Sequence, residues 1–400
     1  MKHKHGRVIV IGGGPVGCVA ALLLAQQDIP VTLAEKEAGM VPDYRASTFH
    51  PPTLDLLEAS GVTSALVRMG LKCTVNQFRD RRKGKIAEFD MSALKNDTRH
   101  PYRLQCEQFK LVGWAYGVLA KMPGVELLFR HEFVSLSQDS DGVAVTLNSP
   151  EGRKTLKGDI AIGTDGGRSA VRKDLGIKFE GFTYPEHFLV AGARHDFKRQ
   201  MPDICSVNYT ADPDEWYLLL EIPDMWRIIM PADPHIEPSE AVKEERLQSS
   251  LQNIAPRTGP YEILVKGIYR VHQRVAGTYR QNNVFLAGDA CHLNNPLGGM
   301  GLNGGLQDAL SLCGRLAKVW HGRAPEAELD GYEPQRRPEA IHAIHAITQR
   351  NKKLMEERDP AVRERNLAEM AAIAADPGRA YQYMLDASMI TSLRRSGMLR

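Results

Sequence analysis

Two uncharged stretches open the chain. A β-branched run from Arg7 to Ile11 is followed by an Ala/Leu-rich segment from Val16 to Gln26, with Gly12-Gly13-Gly14-Pro15 between them. A short apolar run bounded by glycine predicts a buried strand, and the longer segment predicts a helix. Pro30 to Glu35 predicts a second short strand. Together these make a βαβ unit of about thirty residues, the opening of a doubly wound sheet. On hydropathy alone the N-terminus imitates a signal peptide or a membrane span, because Lys2, Lys4 and Arg7 precede an uncharged stretch from Val8 to Ala25. The glycines and Pro15 in its middle argue instead for strand, tight turn and helix. No other candidate span and no targeting signal is found.

Further along, helices are predicted over Leu54 to Ser60 and Glu107 to Met122, the second stopped by Pro123-Gly124. Val125 to Phe129, Glu132 to Gln138 and Val143 to Asn148 read as strands, with Asp141-Gly142 as a hairpin turn. Asp159 to Gly163 is another short apolar strand. The character changes between Phe188 and Ile268. Alternating strands such as Trp216 to Ile222 and Trp226 to Met230 are joined by Pro-Asp turns, and Ser239 to Gln252 reads as a helix. Val284 to Ala287 returns to a buried strand. A long helix from about Leu302 to His321 follows, and then charged amphipathic helices over Arg337 to Lys353 and Asp359 to Ala375. The fold class is therefore α/β. A Rossmann-like unit is expected from residues 1–75, 104–180 and 270–338, with an inserted, mostly antiparallel substrate unit from 76–103 and 181–269. Residues 339–400 are expected to form a C-terminal helical region.

The 400 residues are 43% hydrophobic and 25% charged, which is enough to bury a large core, and the net charge of +3 is too mild to indicate nucleic acid or a membrane surface. The run Arg79-Asp80-Arg81-Arg82-Lys83 reads as a solvated loop. Six cysteines without a CxxC pair, in a chain too long to need disulfides, favour a reducing cytoplasm.

Candidate chemistry lies in four glycine-rich segments. In Gly12-Gly13-Gly14-Pro15-Val16-Gly17, Gly12 permits the turn, Gly14 lets backbone approach a pyrophosphate, and Gly17 lets the helix pack on the strand. The helix N-terminus offers its amides and positive dipole end to phosphates. Glu35, followed by Lys36, ends the next strand where an acid can accept hydrogen bonds from a ribose diol. The second segment is Gly163-Thr164-Asp165-Gly166-Gly167-Arg168-Ser169 with Val171-Arg172, which taken alone is a turn. In the third, Leu286-Ala287-Gly288-Asp289-Ala290-Cys291-His292, a strand ends at a glycine and an acid that could hold a sugar hydroxyl. The fourth, Asn294 to Gly304, is poor in side chains and opens a helix, so it suits the face of a large flat ring.

In this order the motifs resemble the class A flavoprotein monooxygenases, the para-hydroxybenzoate hydroxylase family, over about residues 7 to 340. The resemblance implies non-covalent FAD as cofactor and NADH or NADPH as a transient reductant, with O2 and a small aromatic substrate (a phenol, aminobenzoate or hydroxypyridine). It implies hydroxylation through a flavin C4a-hydroperoxide. By the same resemblance Gly12, Gly14, Pro15, Val16, Gly17, Glu35 and Lys36 belong to the FAD fingerprint. Arg45 stands near the pyrophosphate, and Gln105 stands where the family places a flavin contact at a helix start. Asp165, Gly166 and Arg172 match a motif linked to both FAD and NAD(P)H, and Gly288 and Asp289 meet the FAD ribose. Pro296, Gly298, Gly299, Gly301, Leu302 and Asn303 form the loop against the isoalloxazine ring. The chain has Cys291 where the family often has alanine, and the thioredoxin-like domain of the phenol hydroxylase branch is not expected in it.

An activating base for a phenol would come from the middle block, where His195, Tyr209 and Tyr217 are candidates beside Pro296 in the catalytic loop. Trp216, Tyr217 and Trp226 either line the pocket or pack the core. His342 and His345, without a third ligand at metal spacing, read as surface or packing histidines, so no metal is expected. Cys291-His292 is not a nucleophile and base pair, since neighbours on a loop rarely face each other. His3 and His5 are expected to be disordered, and a homodimer is left open. Competing readings are an FAD-dependent reductase or dehydrogenase, a halogenase, or a non-catalytic FAD-binding protein. The halogenase would need paired tryptophans that Glu221-Ile222-Pro223 lacks.

Overall fold

A computed structural model describes residues 4–399; Lys2 and His3 lie outside the described residues. The strand Val8–Ile11 is almost wholly inaccessible. It is the hub of a six-stranded sheet in the order Arg280–Gln281, Val284–Leu286, Ile160–Gly163, Val8–Ile11, Val31–Glu35, Val125–Phe129. All neighbours are parallel except the first pair. A parallel sheet is covered on both faces, which is why these strands are continuous apolar runs and not alternating ones. The helix Pro15–Ala25 covers one side and packs on the helix Met300–Trp320. His5, expected to be disordered, is tied down by its backbone N–H donating to Asp159 Oδ1 at 3.0 Å.

The second large element is an eight-stranded sheet. Its order is His292–Leu293, Glu262–Ala276, Phe179–Arg194, Met225–Ala232, Tyr217–Ile222, Val207–Ala211, Val75–Asp80, Gly84–Asp90. Neighbours are antiparallel apart from Val207–Ala211 beside Val75–Asp80. The strand Glu262–Ala276 runs straight through residue 270, and His292–Leu293 pairs with it, so both sides of the expected boundary near 270 serve one sheet. The sheet separates two cores. Phe188, Trp216, Leu218, Ile229 and Leu297 pack on one face. Phe197, Tyr217, Leu219, Trp226 and Tyr261 pack on the other. Trp216 and Trp226 are therefore both core residues, on opposite faces.

Several local expectations are revised. The charged run at 79–83 is not a free loop. Arg79 lies in the strand Val75–Asp80 and pairs with Asp203 at 2.7 Å, buried Asp80 pairs with Arg363, and Lys83 pairs with Glu364 at 2.6 Å. The helix Val62–Met69 was missed, because Gly61 divides it from Pro51–Leu57 and hides its short periodic pattern. The C-terminal helices Ala346–Met355, Pro360–Ala375 and Pro377–Ala387 fold back onto the large sheet rather than trailing away.

One buried ionic cluster joins these parts. Asp308, fully buried on the long helix, accepts from Arg336 Nε at 2.7 Å, from His292 Nε2 at 2.8 Å and from the Gly288 amide at 3.1 Å. Removing one partner of such a pair leaves an uncompensated buried charge, which costs about 3–5 kcal/mol. Arg336→Leu is therefore expected to lower folding stability by about that amount, read as a fall in the urea midpoint at unchanged slope.

Candidate cofactor cleft and active-site cavity

The cleft begins at the end of the first strand. Gly12 has φ +108°, and a Cβ there would lie 2.6 Å from the Thr164 carbonyl, so the turn admits only glycine. Thr164 closes the crossing by donating its hydroxyl to the Gly12 carbonyl at 2.8 Å. Pro15 starts the helix, and no side chain caps its amides; a Cβ on Gly14 would meet open space. That is the geometry of an anion site at a helix N-terminus. Glu35 accepts from the Gly13 amide at 2.6 Å and from the Glu37 amide at 2.9 Å, which fixes the carboxylate beside the turn. Lys36 is exposed and pairs with Glu37. Gly17 is buried on the helix, and Val16 fills the space next to Gly288.

Asp289 stands open to this cleft although protein surrounds it, and that burial raises its carboxyl pKa against the pull of Arg45. Arg45 is exposed and held by Asp43, with its Nη2 at 2.6 Å from Oδ2. Arg45 and Asp289 thus face a common space next to the glycine turn. An uncapped helix start, open space at Gly14 and acids placed for hydroxyl groups fit a dinucleotide.

Two expected cofactor residues do something else. The Asp165 carboxylate accepts from Ser169 Oγ at 2.5 Å and from the amides of Ala170 and Val171. It organises its own turn through Gly166 and starts the next helix. Arg172 is buried and donates to the carbonyls of Ala290 and Gly167, at 2.9 Å each, with its guanidinium 3.7 Å from the Phe179 ring centre. It clamps two glycine loops together. Gln105 is also committed. It lies at the end of the strand Arg103–Gln105, not at a helix start, and its amide bonds Ser47 and Thr48.

The loop at 296–303 is held from behind. Asn303, fully buried, accepts from the His50 amide at 2.8 Å and donates to the carbonyls of Thr48 and Gly299. The Pro296 carbonyl accepts from the Gly299 amide at 3.0 Å. Gly299 has φ +68°, and a Cβ there would press on Thr48 at 2.9 Å. Gly301 and Leu302 lie in the first turn of the long helix, half-buried, with Gly301 facing Asn294. The Gly298 carbonyl accepts from His50 Nε2 at 2.8 Å.

Gly298 also lines a cavity. Phe78, Phe89, Leu354 and Met384 supply apolar wall, and Arg103 and Tyr209 supply polar wall. Of the three base candidates only Tyr209 reaches this cavity, and its hydroxyl accepts from Arg103 Nη1 at 3.1 Å. Tyr217 packs in the core on the far face of the sheet, because strand side chains alternate. His195 stacks edge-on with Phe197 and Tyr261 on that same far side and bonds Gln200. Neither can act on a substrate in the cavity. The sequence reading missed His50, Arg103 and Arg227. Arg103 lies two residues from Gln105 on one strand face, a spacing that could have revealed it. Arg227, buried, donates to Ser47 Oγ at 2.8 Å and to the Arg45 carbonyl. Cys291 and His292 do not form a dyad, since His292 serves Asp308. His342 is exposed, and His345 bonds the Leu293 carbonyl at 3.0 Å.

Burial, reinforced by the charge of Arg103, lowers His50 from the ordinary 6.5 to about 3, and burial with His292 lowers His345 to about 4. The unfolded chain takes up both protons as the pH falls through 6.5, but the folded chain resists until about 4 and about 3. Their contribution is thus complete above 6.5 and is lost progressively toward the folded values. The thermal midpoint is expected to drop across this window, and His50→Asn to flatten the slope.

Comparison with known proteins agrees with this geometry. A family model described as an FAD binding domain matches residues 6–346. Para-nitrophenol 4-monooxygenase of a Pseudomonas species is 32% identical over 97% of this chain and 96% of its own length. 6-Hydroxy-3-succinoylpyridine 3-monooxygenase of Pseudomonas putida is 33% identical over 84% of this chain and 86% of its own. The crystal structure of a p-nitrophenol 4-monooxygenase from Pseudomonas putida superposes with a TM-score of 0.91 at 32% identity, covering 95% of this chain and 96% of that one. The doubly wound sheet, the large antiparallel sheet and the glycine turns are thus those of a known enzyme class, and the chain belongs to the FAD-binding family of aromatic monooxygenases.

Proposed function

We propose that the protein hydroxylates a small aromatic ring using FAD, NADH or NADPH, and O2. The observation that carries the reading is that the loop 296–303, which leads into the long helix, contributes Gly298 to the wall of a largely apolar cavity. FAD would lie with its pyrophosphate at the Pro15 helix start and its ribose hydroxyls between Glu35 and Asp289. Its ring would lie along Gly298, Gly299 and Gly301 at the start of the long helix. When bound and reduced, FAD supplies the oxygen-activating chemistry that side chains lack. The chain orients the ring through the cavity wall, and the helix start favours negative charge on the flavin. Phe78, Phe89, Leu354 and Met384 keep water from the reacting atoms. The relatives named above act on a nitrophenol and a hydroxypyridine, which supports a hydroxylated ring as substrate.

A reductant site is supported by charge. Arg168, Arg270 and Arg274 crowd His272 and lower its pKa after burial, and among the described residues no carboxylate pairs with any of the three. This exposed cationic edge adjoins the Asp165–Gly167 turn and suits an anionic dinucleotide that binds transiently.

Labelled O2 tests the reaction: one labelled atom in the product and stoichiometric NAD(P)H consumption are expected, whereas unlabelled product would identify a reductase or dehydrogenase. Glu35→Ala is expected to weaken FAD binding by about 1.5–3 kcal/mol, measured by fluorescence titration of the apoprotein. Arg168→Ala and Arg270→Ala are expected to raise the KM for NAD(P)H about threefold to fivefold each, at unchanged kcat and with reduced salt dependence. An unchanged KM would remove this edge from the reading.

A further inference from the structure

Between the short strand His292–Leu293 and the long helix that begins at Met300, the chain has no regular structure of its own. Backbone polar groups on such a stretch need partners from elsewhere. Three of them are met, directly or through Gln273, by one helix. That helix runs from a π-helical turn, Ala340–His345, into Ala346–Met355. Pro338, just before the turn, has no amide for the regular ladder, and one extra residue in a turn rotates everything after it by about 100°. His345, Thr348 and Asn351 then follow three apart along the helix, the spacing at which side chains are neighbours. The Leu293 carbonyl accepts from His345 Nε2 at 3.0 Å. The Asn295 amide donates to Gln273 Oε1 at 3.1 Å, and Gln273 Nε2 donates to Thr348 Oγ1 at 3.2 Å, all three residues being buried. The Leu297 carbonyl accepts from Asn351 Nδ2 at 3.1 Å. Alternate residues of the approach to the loop are thus fixed one by one. Asn351 makes a second contact. A Cβ on Gly298, whose φ is +124°, would lie 3.2 Å from the same Nδ2, so the amide stands directly behind that glycine. Asn351, Leu354 and Met355 of this helix also line the cavity.

We propose that Thr348 and Asn351 are positioning residues for the cofactor: their helix sets where the backbone of Leu297, Gly298 and Gly299 stands against the flavin ring. The proposal rests on the reading that the ring lies along this loop. Its physical basis is that Gly298 and Gly299 have no side chains with which to wedge themselves in place, and both hold backbone angles that few other residues adopt. A loop of that kind keeps its place only if it is fixed from behind, and groups that meet a cofactor are held to a fraction of an ångström by the shell that supports them. Removing the Asn351 amide leaves the Leu297 carbonyl without this donor. Removing the Thr348 hydroxyl frees the Gln273 amide that steers Asn295. In either case the loop is released at the point where it would touch the ring. The same helix supplies cavity wall, so it holds the loop and the space beside it in one fixed relation.

The test uses the full chain and reads three properties: the visible absorbance of the bound flavin, its two-electron potential, and FAD affinity by titration of the apoprotein. Asn351→Ala and Thr348→Val are each expected to shift the absorbance and the potential and to weaken FAD binding about threefold to tenfold. Thr348→Ser, which keeps the hydroxyl, is expected to retain all three properties of the unaltered protein. The melting midpoint of the FAD-free variants separates positioning from stability. A residue that only stabilises its helix would lower that midpoint and leave the flavin's absorbance and potential where they were. Asn351 is half-buried, so its variant provides folded protein for the reading even if Thr348→Val lowers the yield. Unaltered absorbance and potential in folded, FAD-loaded Asn351→Ala would overturn the proposal for that residue, and the same result in Thr348→Val would overturn it for the other. FAD binding by the unaltered protein is read in the same titration, so failure of the cofactor reading is distinguishable from failure of this one.

Discussion

The carboxylate of Asp308 is buried without access to water, and everything around the loop at 288–304 is arranged to satisfy it. A lone carboxylate in that position would cost several kcal/mol. Arg336, His292 and the Gly288 amide meet it from three different segments of the chain. The long helix, the Gly288-Asp289 turn and the helix Tyr332–Glu339 are thereby locked into one body. Asp289 is then aimed at the cofactor cleft, and the helix start at Met300 lies under the loop that carries Gly298. Arg172 makes the corresponding connection on the other side, from the Asp165 turn to Ala290.

The large sheet imposes the second constraint. Side chains alternate across a strand, so each residue of the middle block either faces the cavity or is excluded from it. Tyr209 shares its face with Val207 and Ala211, which pack in the core that contains Leu297. Arg227 shares a face with Ile229, while its neighbours Trp226 and Ile228 lie behind. The C-terminal helices then close the open side. Leu354 and Met384 come from the C-terminal helical region and supply cavity wall. The cavity wall is thus shared between the middle block and the tail of the chain.

Much of the fold could be read from local pattern. The strand at Val8–Ile11, the glycine turn and the helix at Pro15–Ala25 follow from continuous burial and from backbone angles only glycine adopts at low cost. The strand ends at Gly163 and Leu286 follow in the same way. Motif position was a weaker guide to role. Asp165 and Arg172 stand where a cofactor contact was expected, and here a turn and a loop clamp engage their polar atoms. Polarity in the middle block was the weakest guide, since His195, Tyr209 and Tyr217 look equivalent in sequence and only Tyr209 meets the cavity.

By itself the sequence determined the α/β class and the glycine turn after the first strand, because these depend on contacts within a few residues and on glycine at fixed spacing. Only the tertiary structure decided that Arg103, Arg227 and His50 converge near the same loop, drawn from segments far apart in the chain. The reason is physical. A hydrogen bond to the next turn is encoded by neighbouring residues, whereas contacts between segments far apart in the chain exist only once the strands and helices have packed.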